Sequence, residues 1–176
     1  MARPVQRLDQ WLMRRSVRMR SPDLNRTLVV LTRAANYSRL WLLVAGALAA
    51  CGGHPGRRAA GRGILAVAIA AALANGPVKL LARRRRPSGH PAPTLIRMPR
   101  SSSFPSGHSA AAFAFATGAC GELPGLLLLL GPLACAVAYS RVHTGVHYPS
   151  DVAGGAAIGI GSGVLASRLA SGIDKP

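Results

Sequence analysis

Lys79 and Arg86 stand seven residues apart in KLLARRRRP, with Pro87 directly after. Ser106, Gly107 and His108 follow in FPSGHS, and Ser140, Arg141, His147 and Asp151 lie in SRVHTGVHYPSD. These are residue types suited to gripping and cleaving a phosphate ester. Phosphoryl transfer needs the charge on the phosphoryl oxygens neutralised and the nucleophile placed in line. Arg86 and Arg141 offer planar forks that bind two phosphate oxygens at once, and Lys79 adds a point charge. The Pro-Ser-Gly turn opens an alanine-rich stretch, so backbone N–H groups and the positive end of a helix dipole face the same anion. Gly107 permits close backbone approach, the Ser106 hydroxyl can donate a further bond, and His108 falls at the rim of such a pocket.

The third block holds the reactive group. Pro149 suits the first turn of a helix, which places Asp151 in that turn and His147 just before it. Asp151 can then accept from one ring nitrogen of His147 and leave the other free to attack phosphorus, a triad-like arrangement with histidine as nucleophile. Each block alone has an ordinary explanation. ARRRRP fits the positive flank of a membrane helix, which accounts for Arg83, Arg84 and Arg85, and the other two fit a turn with a cap and a loop histidine beside a capping aspartate. Their joint occurrence in this order is the informative feature. His54, His90 and His143 have no comparable context and are assigned no role.

The elements that must position these residues are apolar helices. The 176 residues are one domain's worth of chain; 49% are hydrophobic and only 15% charged. Five apolar stretches, 40–53, 64–81, 109–120, 123–139 and 152–166, are expected to cross a bilayer, although each is shorter than the ~20 residues of a comfortable span. Ahead of them, residues 3–20 alternate Leu8, Trp11 and Leu12 with arginines, as a basic amphipathic helix at the membrane interface does. Ser21-Pro22-Asp23 predicts a second short helix over 23–33. The expected organisation is a basic amino-terminal segment at 1–39, a membrane-embedded domain at 40–170 and a short tail at 171–176. A net charge of +17 would suit nucleic acid, but the arginines flank apolar runs and stacking aromatics are few, which argues against it. Cys51, Cys120 and Cys135 lack metal-ligand spacing and read as small buried hydrophobes.

Taken together the three blocks resemble the signature of the type 2 phosphatidic acid phosphatase family, which also includes soluble acid phosphatases and vanadium haloperoxidases. The resemblance spans residues 79–151. It implies an all-α acid phosphatase/haloperoxidase-like core, here a polytopic bundle in the cell membrane, and metal-independent hydrolysis of a lipid phosphate without a cofactor. Phosphatidic acid, phosphatidylglycerol phosphate and isoprenyl phosphates are the substrates it suggests. By position it implies that His147 forms a phosphohistidine, Asp151 orients it and His108 protonates the departing alkoxide. Lys79, Arg86, Ser106, Gly107 and Arg141 would cradle the phosphoryl oxygens, and Ser140 would support the loop. The rival readings are a vanadium haloperoxidase, to which a small apolar chain is poorly suited, and a non-catalytic lipid-binding protein, which would have no need of His147, His108 and Asp151.

Overall fold

The structure, a computed structural model, describes residues 3–87 and 93–173; His90 and positions 174–176 of the expected tail lie outside the described residues. Eight α-helices make up the fold, and no strand occurs among the described residues. They are α1 (Arg3–Arg18), α2 (Pro22–Ala34), α3 (Arg39–Cys51), α4 (Gly53–Asn75), α5 (Pro77–Ala82), α6 (Gly107–Cys120), α7 (Leu127–His143) and α8 (Pro149–Ile173). Local chemistry explains several boundaries. Ser21 caps α2 by accepting from the Leu24 N–H at 3.3 Å, and Pro22 and Asp23 fill its first turn. Gly76 separates α4 from α5.

Alanine and glycine fill the interior. Ala110, Ala112, Ala114, Phe115 and Ala119 of α6 are fully or almost fully buried, and α4, α7 and α8 surround that helix. Phe115 stacks on the buried Trp41 of α3 with ring centroids 5.4 Å apart. Many leucines point outward: Leu43, Leu81 and Leu128 are 72%, 84% and 87% exposed. An aqueous protein hides leucine and tolerates alanine at its surface, so this inversion means that the surrounding solvent is hydrocarbon. Among the described residues, three helical segments are long and apolar enough to cross a membrane: 53–82, 124–143 and 149–172. At 1.5 Å per residue, the 13 residues of α3 and the 14 of α6 reach only about 20 Å, against a hydrocarbon core of about 30 Å. Three of the five expected spans thus match helices of full length, and α3 and α6 are not among the helices long enough to cross.

Small residues let α8 lie against α6 almost backbone to backbone. A Cβ added at Gly155 would sit 2.4 Å from the Ser106 carbonyl oxygen, and one at Gly159 would sit 2.4 Å from that of Ala110. This four-residue spacing continues to Gly163, where a Cβ would meet the Thr117 side chain. At the opposite end of α6, Glu122 is held by Arg58 at 3.1 Å and Arg62 at 3.0 Å. The amino termini of α6 and α8 and the carboxyl termini of α5 and α7 come together at one end of the bundle. There α1 packs on α7 and α8, and α2 packs on α7.

Gly159→Ala is expected to destabilise the fold by about 1–3 kcal/mol, since α6 backbone must move to admit the methyl group. Gly161→Ala, whose Cβ would meet nothing within 4 Å, leaves stability unchanged or raises it slightly. Thermal unfolding of both variants in one detergent checks the contrast.

Candidate active site

A cavity of about 640 Å³ opens at this end of the bundle. Six of the eight residues singled out in the sequence line it: Lys79 from α5, Arg86 from the following loop, Gly107 and His108 from the start of α6, Arg141 from α7 and His147 from the α7–α8 turn. Ser106 and Asp151 are fully buried behind it. Ser106 therefore does not line the pocket. Its Oγ accepts from the Ser109 N–H at 3.4 Å and the Ser109 hydroxyl at 3.0 Å, which makes it the N-cap of α6. Ser140 braces the loop: its carbonyl receives the Thr144 N–H at 2.9 Å and the Thr144 hydroxyl at 2.7 Å.

The tautomer of His147 follows from its neighbours. Arg86 Nη1 lies 3.1 Å from His147 Nε2, and a guanidinium can only donate. Nε2 therefore carries the lone pair, and the proton of the neutral ring sits on Nδ1. Asp151 Oδ2 is 3.7 Å from Nδ1, close enough for charge attraction and too long for a hydrogen bond. Burial pulls the His147 pKa down to about 4, with Asp151 opposing the shift and Arg86 and Arg141 adding to it. At neutral pH the imidazole is thus uncharged, with its basic nitrogen beside the cationic groups of the cavity.

The carboxylate of Asp151 is itself closely held. Oδ2 accepts from the Ser103 hydroxyl and from the Tyr148 N–H at 2.8 Å, while Oδ1 accepts from Arg84 Nη1 at 2.6 Å. Its backbone carbonyl receives the Ser106 N–H at 3.0 Å, which joins the starts of α6 and α8. Arg84 is thus no mere flanking charge, because its fork spans Asp151 and Asp9 of α1. Arg86 is aimed by the carbonyls of Ser101 at 2.9 Å and Val146 at 2.8 Å.

The amino-terminal segment builds one wall of the cavity. Thr32 accepts from Arg141 Nη1, and Asn36 Oδ1 lies 2.9 Å from His108 Nε2. Asn36 opens a turn in which Tyr37 and Ser38 adopt left-handed φ angles of 53° and 59°, costly conformations for residues other than glycine. Arg33 and Arg97 also line the cavity, bringing its cationic side chains to five with Lys79, Arg86 and Arg141. Sequence reasoning missed Asp9, Arg84, Asn36 and Ser103; an acid at position 9 inside an otherwise basic helix was the one available signal. His143, assigned no role, is buried with Nε2 2.8 Å from Asn25 Oδ1, and its carbonyl receives Arg20 Nη2 at 2.7 Å, so it anchors the amino-terminal helices. Among the described residues no group of three His, Cys, Asp or Glu is arranged to hold a metal ion.

Known proteins resemble this chain in sequence and in fold. Decaprenylphosphoryl-5-phosphoribose phosphatase from Mycobacterium tuberculosis is 41% identical over 98 residues, covering 54% of this chain and 52% of that protein. The chain thus matches about half the length of that relative. The enzyme of the same name from Mycolicibacterium smegmatis is 36% identical over 132 residues, 71% of this chain and 67% of the relative. Among solved structures, the transmembrane PAP2 type phosphatidylglycerolphosphate phosphatase from Bacillus subtilis superposes with a TM-score of 0.76 at 25% identity, covering 99% of this chain and 90% of its own. LpxE from Aquifex aeolicus gives 0.73 at 25% identity, covering 89% and 93%. Since the family profile also matches residues 60–173, which contain all eight of the singled-out residues, the chain belongs to the PAP2 superfamily.

Proposed function

We propose that this protein is a multi-pass enzyme of the cell membrane that hydrolyses the terminal phosphate of a lipid phosphate through a phosphohistidine. The observation that carries the proposal is the lone pair of His147 Nε2, held at a cationic cavity by Arg86. In the first step Nε2 attacks phosphorus, the bond from phosphorus to the lipid oxygen breaks, and His108, kept protonated by the bound substrate anion that offsets Arg141 and Lys79, gives its proton to the departing alkoxide. In the second, water attacks the phosphohistidine, His108 takes a proton from that water, and inorganic phosphate leaves. Lys79, Arg86 and Arg141 neutralise the phosphoryl oxygens together with the N–H groups at the start of α6, where Gly107 admits the anion closely. Ser106 contributes by capping that helix. In this reading all five apolar stretches cross, with α3 and α6 completed by the turns that flank them, and α1 lies at the interface with Leu8 and Trp11 exposed to lipid.

The lipid is the finer question. A phosphate monoester carries at most two negative charges, whereas five cationic side chains line the cavity. Lys79, Arg86 and Arg141 suffice for the reacting group. Arg33 and Arg97 suit a second anionic group in the same headgroup, such as a diphosphate or a phosphodiester linking the sugar or glycerol to the lipid. The names of the relatives from Mycobacterium and Bacillus describe headgroups of that kind.

His147→Gln is expected to lower turnover at least about a thousandfold while the protein stays folded, because no neighbouring side chain can replace the nucleophile. Phosphate release by purified protein on a panel of diacyl and prenyl phosphates measures this; activity within tenfold of wild type would assign the nucleophile elsewhere. Hydrolysis is expected to persist in excess EDTA and to stop with orthovanadate, since arginines and lysine do the neutralising; a strict Mg²⁺ requirement contradicts the mechanism. Replacing Arg33 and Arg97 together by Gln is expected to raise KM about tenfold for substrates with a second phosphate and to spare simple monophosphates. Equal effects on both classes would remove the second-anion assignment.

A further inference from the structure

Asp9 is an anomaly in α1. It is the one acidic residue in that helix, which carries several arginines, and its side chain is buried. Carboxylates are rarely hidden unless paired, and this one has three partners. Its Oδ1 accepts from the Ser150 N–H at 2.9 Å, and its Oδ2 accepts from the Ser150 hydroxyl at 2.6 Å and from Arg84 Nη2 at 2.7 Å. Nη1 on the other arm of the same guanidinium donates to Asp151 Oδ1 at 2.6 Å and to Ser150 Oγ at 2.7 Å. Arg84 also lies over the ring of Tyr148 at 4.3 Å, which fixes the plane of the fork. One cation is therefore divided between two carboxylates, one of them the partner of His147.

That division matters because Asp151 faces competing demands. It lies beside a neutral imidazole that must become cationic as it attacks, so its negative charge has to remain available. A guanidinium balanced by no other anion would take most of that charge for itself. We propose that Asp9 is a positioning residue for the reaction: from α1 it holds one arm of Arg84, so that Asp151 keeps the carboxylate charge that serves His147. The inference rests on the proposed role of His147 as nucleophile. Two carboxylates and one guanidinium leave the relay with one net negative charge. Asp9→Asn brings it to zero, Arg84→Gln makes it doubly negative, and the double variant restores the wild-type value.

A purely structural role makes a different forecast. Asp9 also caps the amino terminus of α8 through Ser150, so a staple alone would make its loss harmful, with the Arg84 variant adding to the damage. The sign of the electrostatic effect on His147 separates the two cases. The charged or titratable groups that face His147 are Asp151 of α8, Arg86 of the loop, Arg141 of α7 and His108 of α6, and none of these is altered.

The experiment is a histidine-labelled NMR titration of the full chain in micelles, with His147 assigned by its loss in His147→Gln. Relative to wild type, the midpoint of His147 is expected to fall by about half a unit or more in Asp9→Asn, to rise in Arg84→Gln, and to return in the double variant. In parallel, kcat on a lipid phosphate is expected to fall about tenfold in Asp9→Asn with KM within twofold, and to recover in part in the double variant. Midpoints that do not move, or that move the same way in both single variants, overturn the proposal. If Asp9→Asn loses helical circular dichroism, Arg84→Gln decides alone: a raised midpoint supports the relay, and an unmoved or lowered one rejects it. If wild type hydrolyses none of the lipid phosphates tested, the proposed function fails, while the titration still decides whether Asp9 and Arg84 set the charge beside His147.

Discussion

The carboxylate of Asp151 is the point at which the parts of this fold meet. It is fully buried, and its oxygens are met by Ser103, the Tyr148 N–H and Arg84, with His147 close by. An unpartnered charge could not stay there, because removing a carboxylate from water costs far more than a packed neighbour returns. Each donor comes from a different stretch of chain: the long loop, the turn before α8, and the residues following α5. Satisfying this one anion therefore fixes where the loop returns, how α8 begins and which way His147 faces. The cavity in front of it follows, since Arg86 is tied to the same loop through Ser101 and to the same turn through Val146.

Precision at that end depends on the dryness and closeness of the helix contacts behind it. In hydrocarbon, apolar side chains gain nothing by leaving solvent, so helices associate through close packing and hydrogen bonds. Gly155, Gly159 and Gly163 bring α8 against α6, and the Ser106 N–H bonded to the Asp151 carbonyl locks the two helix starts together. The α6 dipole, the cap at Ser106 and the Asp151 carboxylate consequently share one rigid frame. The strained turn at Tyr37 and Ser38 lies outside that frame, at the rim, where it presents Asn36 to His108.

Much of the site is legible in the sequence because its residues lie in short linear blocks. Lys79 and Arg86, Gly107 and His108, Arg141 and His147 are each anchored near a helix end that apolar patterning and Pro or Gly signals already mark. What could not be read was contributed by single residues without a pattern. Asp9 and Asn36 reach the site from the amino-terminal segment, and no periodicity announces a lone polar side chain that turns inward. Arg84 was hidden by redundancy: four consecutive arginines look like a membrane flank, and only the fold shows which of them turns inward. Ser106 differs again, since a hydroxyl beside a phosphate motif suggests a ligand role, and the fold uses it to cap the first turn of α6. The shortness of α3 and α6 was legible, because the apolar runs at 40–53 and 109–120 already fall short of a bilayer span.

The contact between Asp9 and Ser150 has a meaning for how the chain is made. The two residues are 141 positions apart, so α1 leaves the ribosome long before its partner at the head of α8 has been synthesised. Arg84 follows Asp9 by 75 positions, so the acid of α1 first lacks both partners and then has the arginine without Ser150. Closure of this contact is then an event of late assembly, accomplished when α8 offers its first N–H groups. A partly translated chain holds its cations in an unfinished basin, and the order of synthesis keeps the site from forming before the bundle that supports it.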